Sequence, residues 1–223
     1  MITVHHLNNS RSQRILWLLE EMQLPYEIVF YHRDPKTMLA PESLKKIHPL
    51  GKSPVVTDGD VVMAESAAII QYLLEKYKSM SLKPKADTPE ALKYLYWMNY
   101  AEGSAMFPLL LTLIFSKIAK SPAPFFIKPI LKSISNKVMQ SYINPQVKLH
   151  LDFMESELNK AKWFAGSEFS AADIQMSFPI EAAAARGGLD QSRPHLAKFL
   201  ETIQARPAYK KALEKGGPYN LLS

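Results

Sequence analysis

The chain has 223 residues, 47% of them apolar, enough for one large packed core or two small ones. It contains no cysteine, which excludes disulfides, thiolate metal sites and a cysteine nucleophile or redox pair of its own, so any sulfur chemistry needs a sulfur brought by a ligand. The net charge of +6 is concentrated: Glu102 and Asp152 enclose an acid-free stretch, 103–151, that holds Lys117, Lys120, Lys128, Lys132, Lys137 and Lys148. Such a stretch is a solvated basic face or a surface for an anionic partner. It has no arginine and no nucleic-acid-binding motif, so nucleic acid is not the expected partner.

Read from the N-terminus, residues 1–10 lack the basic-then-apolar layout of a leader. The longest apolar run, Met106 to Phe115, contains Pro108 and falls short of a membrane span. A cytoplasmic protein without membrane insertion is expected. "ITVHHL" reads as a strand, and its adjacent His5 and His6 face opposite ways, against a shared metal. "RILWLLEEM" places Ile15, Leu19 and Met22 on one helical face, and "YEIVF" is again a strand. "SPVVTDGDVVMA" is a hairpin turning at Asp58-Gly59, and "ESAAIIQYLLEKY" follows as a helix with Ser66 as N-cap. A β-α-β unit, a connecting helix and a β-β-α unit predict an α/β domain of the thioredoxin kind over residues 1–78.

Residues 79–87 are polar and proline-containing, a linker. From residue 88 to 223 only helices are expected. Thr88-Pro89 is an N-cap followed by proline at the first helical position, and the helix should kink at Pro108. Asn144-Pro145 should open another helix. Ser170 to Asp173 has the form of a capping box, Gly187-Gly188 should end the helix it starts, and "PHLAKFLETIQAR" makes one more.

"HPLGKSPVV" ends its first half in Gly51-Lys52-Ser53, like a phosphate-binding loop. The loop's earlier glycine is missing, since Lys46 stands there, and Pro54 prevents a helix from starting. A nucleotide site is excluded. With "AESAAIIQYL", "FAGSEFSAADI" and "RPAYKKAL" in that order, the chain resembles the cytosolic glutathione S-transferases over nearly its whole length, and "LNNSRSQRILWLLEE" is most similar to their bacterial and fungal branch.

The resemblance implies a detoxifying, homodimeric enzyme that binds glutathione as co-substrate, stabilises its thiolate and directs it at a small hydrophobic electrophile, a peroxide or a mixed disulfide. A noncatalytic glutathione-binding or regulatory protein on the same fold is the alternative. It implies a cis Ser53-Pro54 bond whose backbone pairs with the cysteinyl part of glutathione. Ser66 and Glu65 then take the γ-glutamyl carboxylate and ammonium, and Lys52 the glycyl carboxylate. It places the thiolate-stabilising hydroxyl at Ser10, four residues before Arg14. Ser10-Arg11-Ser12-Gln13 also reads as a capping box, so Ser10 either serves the thiol or only caps; Ser12 is the second candidate, and Asn8, Asn9 or Arg11 the remaining donors. For the electrophile the resemblance points to the kinked helix, with Tyr100, Met106 and Phe107 as lining candidates. Asp173 is assigned to folding.

Overall fold

A computed structural model describes residues 1–186 and 188–221. Its first part runs β1 (Ile2–Leu7), α1 (Ser12–Glu21), β2 (Tyr26–Tyr31), α2 (Glu42–Lys45), β3 (Val55–Asp58), β4 (Val61–Ala64) and α3 (Ser66–Lys76). The strands form one sheet in the order β2-β1-β3-β4, with β1 parallel to β2 and β3 antiparallel to both neighbours. Gly59, at φ +62°, makes the two-residue turn of the hairpin, a conformation that glycine adopts without Cβ strain. Alternation along β1 sends Ile2 and Val4 into the main core with α1 and α3, while Leu7 joins Tyr31 and Leu44 in a smaller cluster under α2. His5 and His6 part accordingly: His5 Nδ1 pairs with the Tyr31 hydroxyl and His6 Nδ1 with that of Ser12.

The second part is helical: α4 (Pro89–Tyr100), α5 (Met106–Ala119), α6 (Lys128–Val138), α7 (Asn144–Lys160), α8 (Ala171–Ala185), α9 (Pro194–Gln204) and α10 (Pro207–Gly216). Thr88 caps α4 as expected, its hydroxyl accepting the Ala91 N–H. One proline expectation needs correction and one needs a refinement. The irregularity assigned to Pro108 lies ahead of it, as a π turn over Ala101–Ala105, while α7 does start at Asn144-Pro145 but follows α6 through a second π turn, Met139–Ile143, without a break. Proline lacks a donor and its ring crowds the carbonyl four residues back; a wider turn just before it accommodates both effects while the helix continues.

The run Pro89–Ala119 is, by length and composition, long and apolar enough to cross a membrane, which Met106–Phe115 read alone was not expected to be. Trp97, Met98, Ala101, Ala105 and Leu109 from that run lie in the core. All six lysines of the acid-free stretch are exposed.

The capping box of α8 forms. Asp173 accepts the Ser170 N–H at 2.8 Å and, with its other oxygen, the Phe164 N–H at 2.9 Å, which ties the preceding loop to the helix start. Gly187 lies outside the described residues. Since α8 is buried around nearly its whole circumference, it has no polar face to show. One hydrophobic cluster extends from Ile2 through α1, α3, α4 and α8 to Ala212, so the two parts of the chain share a core.

Candidate active site

Between the two parts opens a cleft of about 650 Å³. One wall comes from the β1–α1 loop, residues 48–54 and the β4–α3 junction; the other comes from Glu102, Met106, Leu110, Leu113 and Lys117 on the helical run and Phe178 and Arg186 on α8.

Ser10 lines the cleft, just after Asn9 turns the chain at φ +51°. The capping box read over Ser10–Gln13 does not form. Helix α1 starts at Ser12 with Arg11 in the cap position, Ser10 stands one residue earlier, and the Gln13 amide returns no bond. The Ser10 hydroxyl accepts the Ser12 N–H at 3.3 Å and sits 2.8 Å from Ser12 Oγ and 3.2 Å from Ser53 Oγ. Ser12 is fully buried behind it and does not line the cleft; its hydroxyl lies 2.9 Å from His6 Nδ1. Burial pushes the His6 imidazole down to about 4, so it is neutral at neutral pH. A chain of three side chains, Ser10, Ser12 and His6, thus runs from the cleft into the core.

The Ser53-Pro54 bond is cis, and both residues line the cleft. Ser53 Oγ donates to the His5 carbonyl and accepts the Leu7 N–H, which locks the loop to β1. Lys52, Glu65 and Ser66 line the same wall. Helix α3 begins at Ser66 itself, with Glu65 in the cap position at φ +66°, a left-handed conformation rare for a residue with a Cβ. The Ser66 hydroxyl does not cap the helix. It accepts a bond of 2.8 Å from Arg14, leaving the first backbone N–H groups of α3 at the cleft.

Arg14 was a landmark in the sequence and is a hub in the fold. Fully buried, it donates to Ser66 Oγ, to the Glu102 carboxylate and, at 2.6 Å, to the carbonyl of Gln175. That carbonyl is free because Pro179, four residues on, has no N–H to offer it. Glu102 also pairs with Arg11 Nε at 2.9 Å; burial alone would raise its pKa, but the two arginines outweigh burial and lower it.

Of the three residues expected on the electrophile side, only Met106 lines the cleft. Tyr100 is a core residue, its hydroxyl 2.5 Å from His150 Nδ1 and its ring against Trp97 and Phe153, and Phe107 is exposed outside the cleft. The π turn between Tyr100 and Met106 inserts one residue, about 100° of rotation, so simple helical spacing follows the wrong face. Asn8 also points elsewhere, accepting the Arg33 N–H.

Residues 10–76 match the N-terminal domain of glutathione S-transferases and residues 115–207 their C-terminal domain. Glutathione S-transferase 3 of Schizosaccharomyces pombe is 38% identical, over 96% of this chain and 88% of its own length. This chain belongs to the glutathione S-transferase family. Glutathione S-transferase 1 of Saccharomyces cerevisiae is 37% identical over 96% of this chain and 95% of its own. A glutathione S-transferase structure from Actinobacillus pleuropneumoniae matches with a TM-score of 0.79 at 35% identity, covering 99% of this chain and 95% of that one. In this glutathione S-transferase, sequence reasoning did not reach Arg33, His48, Glu102, Phe178 and Arg186, all of which line the cleft. An Arg or Glu on a helix carries no local mark of where it points. For Glu102 one signal existed: it is the last acid before the acid-free stretch.

Proposed function

We propose that glutathione lies along the thioredoxin-like wall with its thiol at Ser10, and that the thiolate attacks an apolar electrophile held against the helical wall. One observation carries this reading: Ser10, Ser53, Glu65 and Ser66, from three separate points of the chain, open on one side of a cleft whose other side presents Met106, Leu110, Leu113 and Phe178. The exposed N-terminus of α3 suits the γ-glutamyl carboxylate, since its free N–H groups and the helix dipole both favour an anion, and Glu65 suits the ammonium. Lys52 suits the glycyl carboxylate, with Arg33 and His48 on the same wall.

A thiol with a pKa of about 8.5 is only a few per cent ionised at neutral pH. Lowering that value by about two units takes about 2.7 kcal/mol of preference for the anion. The Ser10 hydroxyl bond, the start of α1 and the Arg11 guanidinium together supply a sum of that size. Ser12 reaches the thiol only through Ser10.

We further infer a homodimer of cytoplasmic, detoxifying function. Leu92, Leu95 and Tyr96 form an exposed apolar strip on α4 that a second copy would cover. Turnover of chlorodinitrobenzene, a peroxide and hydroxyethyl disulfide with glutathione tests the reading. Product from the aryl chloride supports transferase chemistry; no turnover of any of the three, with glutathione still bound, would make the chain a noncatalytic binder instead.

A further inference from the structure

The helical wall holds a cation with which no carboxylate among the described residues pairs. Arg186, half-buried at the C-terminal end of α8, lines the cleft and gives one N–H to the Leu109 carbonyl at 3.0 Å. Its Nε is buried with no hydrogen-bond partner, and no carboxylate among the described residues pairs with it. Arg11 and Arg14, by contrast, share Glu102. Burial and the nearby charge of Arg11 both act against the Arg186 cation, a cost that an incoming anion would relieve.

Bound glutathione does not answer this need. Its two carboxylates are matched on the opposite wall, at the start of α3 and at Lys52. Among the described residues around the cleft, Arg11, Arg33, Lys52, Lys117 and Arg186 face only Glu65 and Glu102, and Lys117, in none of the ion pairs there, adds a second cation on the same wall as Arg186. Met106, Leu110, Leu113 and Phe178 line the same wall as Lys117 and Arg186, an apolar surface.

We infer that the preferred electrophiles are apolar molecules bearing a carboxylate or similar anionic group, which Arg186 holds while the reacting carbon faces the thiolate. This rests on the glutathione reading of the cleft. The guanidinium fork matches a carboxylate with two parallel N–H donors, so it would fix orientation as well as charge.

A matched pair of substrates tests it: chlorodinitrobenzene and its carboxylated counterpart, chlorodinitrobenzoate. In both, the thiolate sulfur forms a bond to the ring carbon bearing chlorine, the carbon–chlorine bond breaks and chloride leaves with the electron pair. Wild type should favour the benzoate in kcat/KM, and Arg186→Leu should lower the benzoate-to-benzene ratio roughly tenfold or more, with Arg186→Lys recovering part of it. No preference in wild type, or an unchanged ratio in Arg186→Leu, overturns the inference. Should neither chloride react, the transferase reading falls separately. Calorimetric binding of unreactive dinitrobenzoate in the presence of S-methylglutathione then decides, since equal binding by wild type and Arg186→Leu, or none by either, also overturns it.

Discussion

Ser66 and Arg186 both stand at helix ends and both open on the cleft, yet their surroundings differ. Around Ser66 the charged side chain is neutralised: the Ser66 hydroxyl accepts from Arg14, Arg14 meets Glu102 although its Nε has no partner, and the loop beside it is tied to β1 through Ser53. Around Arg186 one carbonyl bond holds the guanidinium, its buried Nε has no hydrogen-bond partner, and no carboxylate among the described residues pairs with it. The thioredoxin-like wall presents backbone N–H groups and short hydroxyls fixed by strand and helix ends, which suits a co-substrate that never changes. The helical wall presents longer side chains on apolar helices, where exchanging one residue alters what is accepted without disturbing a strand or a cap. Constancy on one side and latitude on the other follow from the kinds of group that form each wall.

The most disruptive way to break this contrast is to remove the link between the walls. Arg14→Leu leaves the Gln175 carbonyl and Ser66 hydroxyl unpaired and Glu102 with Arg11 alone, and should cost roughly 3 to 5 kcal/mol of stability, read by denaturant unfolding. A loss below about 1 kcal/mol would show that the walls are held together by their shared apolar core alone.

Acid should weaken the thioredoxin-like side through His6. Its pKa is about 4 in the fold against 6.5 for the free side chain, so between those values the unfolded chain binds a proton that the folded chain does not. Stability from this group is full above pH 6.5 and is lost as pH falls toward 4, by up to about 3 kcal/mol. Burial raises Asp173 and Glu181 to about 7, and these helical-side acids work in the opposite sense, losing stability as pH rises toward that value. Comparison with His6→Asn isolates the histidine: the variant should lose less stability than wild type from pH 6.5 to 4.

Ser66→Ala probes the constant wall directly. Removing a hydroxyl from an anion site costs about 1.5 to 3 kcal/mol, so glutathione affinity by calorimetry should fall roughly tenfold or more. Wild-type affinity would move the γ-glutamyl group away from α3. The smallest effect is expected at the thiol. Ser10→Ala should raise the pKa of bound glutathione by about one unit, seen in thiolate ultraviolet absorbance, with little change in affinity. A shift with Arg11→Ala and none with Ser10→Ala would pass the role to the arginine.

The order of strands and helices, the hairpin at Asp58-Gly59, the cap at Thr88 and the capping box at Ser170 were all legible in the sequence, and so was the convergence of Ser10, Ser53, Glu65 and Ser66 once the family resemblance was drawn. These features depend on the conformational limits of glycine and proline, on hydroxyls satisfying backbone groups a few residues away, and on hydrophobic period, all of which act within a short segment. What only the tertiary structure decided was longer in range. Tyr100 turned to the core because a π turn shifted the helical register. Ser12 sank behind Ser10 onto His6. Arg14 found Gln175 because Pro179 had freed a carbonyl, and Arg186 reached the cleft with no acid among the described residues to meet it. A buried charge takes whichever partner the packing of distant elements delivers, and that partner leaves no trace in the residues beside it.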